Sequence, residues 1–84
     1  MIYRVEVHMG EVPNLLKRQQ VKVYNQPSAH IFVQAEDPDE ACGAAITKIR
    51  GNILVEKSNK VTRNIVRDLN SLVRVVKIRT ISYA

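Results

Sequence analysis

Eighty-four residues carry 13 Lys and Arg against 8 Asp and Glu, a formal charge of +5, and 45% of them are hydrophobic. That length holds one domain (1–84) with a modest core, and the apolar content excludes a disordered tail. No apolar run is long enough to span a membrane, the first residues do not read as a leader, and a lone cysteine forms no internal disulfide, so a cytoplasmic chain with no membrane partner is expected.

Charge is uneven along the chain. Residues 1–42 hold four cations and six carboxylates, a net −2, whereas residues 43–84 hold nine and two, a net +7. A basic half of this kind points to an anionic partner, DNA or RNA first among them.

Residues 2–9 alternate, with Tyr3, Val5, Val7 and Met9 on one face and Arg4, Glu6 and His8 on the other, which predicts a strand with one buried side. Gly10 ends it. Residues 10–17 connect, with Pro13-Asn14 as a turn and Leu15-Leu16 as a plug at one end of the core. Residues 18–24 read as a second strand, Val21 and Val23 inward, Lys22 and Tyr24 outward. As a hairpin with residues 29–35, its apolar faces match only across a loop of odd length. A three-residue loop pairs Val23 with Ala29 and Val21 with Ile31.

Residues 29–51 carry the clearest signal. Ile31, Val33 and Ala35 alternate as a strand. Asp37 is then placed to cap a helix, Pro38 suits its first position, and Asp39 and Glu40 favour the positive end of its dipole. Cys42, Ala45, Ile46, Ile49 and Ile53 form one helical stripe, and Arg50-Gly51 reads as a stop. Residues 53–57 fit either strand or helix. Ser58-Asn59 opens a helix over 59–70, with Val61, Ile65, Leu69 and Leu72 inward and Lys60, Arg63, Asn64 and Arg67 outward. Residues 73–82 are β-branched and alternate from Val76 onward, Val76, Ile78 and Thr80 against Lys77, Arg79 and Ile81, as a last strand.

The expected fold class is α+β: a two-layer sandwich, with a mainly antiparallel sheet of three or four strands and two helices packed on one face.

Catalytic signatures are missing from the sequence. The only glycines are Gly10, Gly43 and Gly51, too few and too scattered for a phosphate-cradling loop, and there is no nucleophile elbow. Neither an enzyme, a cofactor nor a small-molecule substrate is expected. Of Glu36, Asp37, Asp39 and Glu40 the last three are accounted for as helix-start residues, so no metal site is expected there, and His8 and His30 lack a third ligand. A helix-start position would lower the thiol pKa of Cys42, but packing beside Ala45 and Ile46 is the simpler role.

The remaining constellation is basic. Lys57, Lys60, Arg63 and Arg67 would line one helical face, and Arg74, Lys77 and Arg79 would lie near it on the last strand. Such a set suits contact with nucleic-acid phosphates, set against the ordinary role of a solvated surface. The four aromatics, Tyr3, Tyr24, Phe32 and Tyr83, do not fall among these cations, and the glycine-aromatic signature of the RNA-recognition motif is missing, so backbone recognition is favoured over base stacking. The competing expectation is an accessory module that binds a protein partner or itself. Its contacts would be a sheet edge, the Leu15-Leu16 loop, and Tyr24 and Phe32 as an outward platform.

Overall fold

The alternating residues of the first strand build the centre of the molecule. The computed structural model describes residues 1–81. In chain order it has β1 (Ile2–His8), α1 (Val12–Arg18), β2 (Ser28–Gln34), α2 (Pro38–Glu56), α3 (Lys60–Arg67), α4 (Leu69–Leu72) and β3 (Arg74–Ile81). The strands form one antiparallel sheet in the order β2-β1-β3. Tyr3, Val5 and Val7 turn one face of β1 into the core, where Ile31 and Val33 of β2 join them. The helices cover that face alone. This is the expected α+β sandwich, with three strands and with four helices where two were expected.

Asp37 caps α2 as its sequence predicts, its carboxylate accepting the Glu40 N–H at 2.8 Å. The helix then runs through Gly51 to Glu56, which settles residues 53–56 as helix and leaves Lys57 as its extended C-cap. A glycine inside a helix costs about 1 kcal/mol relative to alanine. Full burial of Ile53, one turn beyond Ile49, offsets that with roughly 2 kcal/mol. Arg50 bridges to the next helix, donating from Nε to the Val66 carbonyl at 3.1 Å.

Residues 18–24 are not a strand. They close α1 and pack as an irregular segment. The N–H groups of Gln20 and Val21 donate to the carbonyls of Lys17 and Leu16, both at 3.0 Å, with Gln20 at φ +60°. This is a Schellman ending, in which a left-handed residue turns the chain and an apolar residue beyond it folds back on the last turn. Val21 and Leu16 are those apolar residues, and both are buried. The hairpin with residues 29–35 is therefore absent, and β2 pairs with β1 instead. Leu16 fills the core as expected, with Leu15 half-buried against it.

The stripe of α3 is rotated by one residue from the one expected. Val61 is 47% exposed and Thr62 is wholly buried, with Ile65, Val66 and Leu69. Thr62 tolerates burial because its hydroxyl accepts the Asn59 N–H at 2.8 Å and donates to the Asn59 carbonyl at 3.2 Å. Asn59 returns the bond, accepting the Thr62 N–H at 2.9 Å, which completes a capping box. The last strand was expected to run to Ser82, which, like Tyr83, lies outside the described residues.

Candidate nucleic-acid interface

Among the described residues the helices cover one face of the sheet and leave the other face of each strand uncovered. Its composition follows from the pairing register. Phe32, Arg4 and Arg79 lie side by side across β2, β1 and β3. His30, Glu6 and Lys77 form the next row, and Ser28, His8 and Arg74 the one after. Glu6 is the only acidic residue in the three strands, against Arg4, Arg74, Lys77 and Arg79. Arg4, Glu6, Lys77 and Arg79 line a shallow depression of about 200 Å³.

Arg74 reaches this face through an irregularity. It stands three positions before Lys77, which in an unbroken strand would put the two on opposite faces. The register shifts between Glu6 and Val7, so that Lys77 pairs with Glu6 and Val75 with Val7. Val76 is the extra residue of this β-bulge and is 45% exposed. It therefore does not join Ile78 in the core, as simple alternation predicts; Val75 takes the core side.

The seven cations expected to form one patch are divided by the sheet. Lys77, Arg79 and Arg74 occupy its uncovered face. Lys60, Arg63 and Arg67 are exposed on α3, in the helical layer, with Lys57 at the end of α2. Two of the helical set are engaged locally. Lys57 donates from Nζ to the Gln19 carbonyl at 2.9 Å, and Arg67 pairs with Asp68 at 3.3 Å. Among the described residues that is the only ion pair, so the sheet cations have no carboxylate in salt-bridge contact.

Tyr24 and Phe32 do not form a platform. Tyr24 is half-buried against the core, its hydroxyl accepting a bond from Asn52 Nδ2 on α2 at 2.7 Å. Phe32 is 51% exposed on the other side of the sheet. Lys48 of α2 donates to the Phe32 carbonyl at 3.1 Å and so covers part of the β2 edge.

Arg4 is the cation of this face that sequence reasoning left out. Its alternation already placed it opposite the core. What joins it to Arg79 and Phe32 is strand order, which no local pattern encodes.

Other candidate chemistry is sparse. His8 and His30 share the uncovered face, but among the described residues no three His, Cys, Asp or Glu side chains gather as a metal set. Cys42 is half-buried. Burial first, and the Asp39 carboxylate second, push its thiol pKa up, opposite to the lowering a helix start would give. Among the described residues no helix is long and apolar enough to cross a membrane. No family model, curated protein or solved structure matches the chain.

Proposed function

We propose that this chain is a non-enzymatic module that binds nucleic acid, chiefly through phosphate contacts, on the uncovered face of its sheet. The observation that supports this reading is the register that sets Arg4, Arg74, Lys77 and Arg79 on one face with Glu6 as its sole acid. Cations held on neighbouring strands, about 5 Å apart, face a polyanion without first having to break ion pairs of their own.

The test is binding of labelled nucleic acid across a salt series. Four engaged cations give a log–log slope of roughly −3 to −4. Lys77→Glu with Arg79→Glu is expected to abolish binding, whereas Arg63→Glu with Arg67→Glu weakens it only slightly. The reverse ranking moves the interface to α3. No binding at low salt refutes the reading.

A half-exposed Phe32 in the same face favours a second reading, an assembly surface for a protein partner or a second copy. Sedimentation at rising concentration tests self-association. A mass that stays at that of one chain removes the homodimer.

A further inference from the structure

We infer that the ligand of this face is a single-stranded polynucleotide, with one base stacked on Phe32 and the adjoining phosphates held by Arg4 and Arg79. The inference rests on the phosphate-binding reading above and names the substrate class.

Its basis is the row Phe32–Arg4–Arg79. The N–H of Ala35 donates to the Met1 carbonyl and that of Met9 to the Pro27 carbonyl, so odd-numbered residues of β1 make the bonds to β2. Arg4 and Phe32 thus form a non-hydrogen-bonded pair, the kind in which facing side chains stand closest. The exposed Phe32 ring therefore has a cation immediately beside it, and a second, Arg79, one strand further on. The row contains no carboxylate, since Glu6 lies in the next row beside Lys77.

This arrangement suits a base and its backbone better than a duplex. The faces of duplex bases are covered by their neighbours in the stack, so an aromatic ring gains nothing from them. A duplex is read by an element that enters a groove. Here the cations stand on a face about 10 Å across, and among the described residues no helix or ribbon projects from it. In a single strand the base faces are open, and a flat surface carrying an aromatic among cations meets both parts of each nucleotide.

The sequence has three tyrosines but no tryptophan, so Phe32→Trp supplies a single indole at the contact that can be excited apart from the tyrosines. The probes are an oligo-dU and an oligo-U of about twelve nucleotides and a DNA duplex of equal length, within the range one small fold covers. Both single strands are expected to quench the new indole and to bind at least tenfold more tightly than the duplex. The tighter of the two identifies the sugar. Phe32→Ala is expected to weaken single-strand binding by roughly 5- to 150-fold, the effect of losing one stacked base, while leaving duplex binding unchanged.

Binding of single strands by anisotropy without quenching overturns the stacking inference and leaves the phosphate reading standing. So does a duplex that binds as tightly as the single strands. If none of the three probes binds at low salt, the phosphate reading itself fails and the inference with it. Should Phe32→Ala not fold, the quenching measurement decides alone.

Discussion

A β-carbon added to Gly10 would lie 2.7 Å from the carbonyl oxygen of Leu72. The turn after β1 thus sits directly against the end of α4, where the chain enters β3. Gly10 also has φ +56°, a region that alanine occupies at a cost of about 1 to 2 kcal/mol. The clash is with backbone, which has no rotamer to escape into, and overpacking of this kind costs about 1 to 3 kcal/mol. Gly10→Ala is expected to destabilise the fold by roughly 2 to 5 kcal/mol, read as a lowered urea midpoint. An unchanged midpoint would mean that the turn and α4 are not in contact.

Gln20 occupies the left-handed position that ends α1. Glycine would remove the steric cost there while adding some freedom to the unfolded chain, a net gain of about 0.5 to 1 kcal/mol. Gln20→Gly is expected to raise the thermal midpoint and Gln20→Val to lower it. A strand at 18–24 predicts the opposite signs, since valine favours strands and glycine weakens them. Paired melting curves decide between the two.

Asn59 caps α3 and also donates from Nδ2 to Gln19 Oε1 at 3.2 Å. Asn59→Ala loses both and is expected to cost about 1 to 2 kcal/mol in chemical denaturation. Asn59→Asp keeps the cap acceptor and loses only the donor to Gln19, so its cost is smaller. Equal losses would show that the Gln19 contact, not the cap, carries the effect.

Burial and Asp39 both disfavour the Cys42 thiolate. The alkylation rate of Cys42 by iodoacetamide is therefore expected to rise with pH through a midpoint above that of a free cysteine, near 8.5. Asp39→Asn moves the midpoint only part of the way back, because burial is the larger cause. A midpoint below the free value would identify an activated thiol.

The fold was legible where one residue's chemistry dictates its place. Asp37 and Pro38 announced α2, and the alternations in residues 2–9 and 29–35 announced the two strands that pair. The misreadings share a cause, that periodicity ranks residues by apolarity alone. Val21 and Val23 alternate as a strand would, but Gln20 turns the chain without the glycine that usually marks such a turn. Val61 outranks Thr62 on any hydropathy scale, yet Asn59 satisfies the Thr62 hydroxyl and lets it be the buried one. Gly51 looked like a stop because a local rule does not weigh the burial of Ile53 beyond it.

For the candidate interface, alternation put Arg4, Phe32, Lys77 and Arg79 away from the core. It did not say that β1 stands between β2 and β3, and that relation alone makes them neighbours. The bulge at Val76, which brings in Arg74, was also invisible, because both Val75 and Val76 suit a core position.

The central place of β1 also governs when the molecule can form during synthesis. The first of the three strands supplies every pairing partner, yet β3 is separated from it by all of the helices. Pairing of that reach is slow to close, and a nascent chain keeps its unpaired edges until it closes. With β1, β2 and α2 already emerged, β1 still offers a bare edge at Ile2, Arg4 and Glu6 to any other extended chain. The arrival of β3 covers that edge of β1 and moves the free edge of the sheet out to β3 itself, where Arg74, Lys77 and Arg79 oppose pairing with another chain.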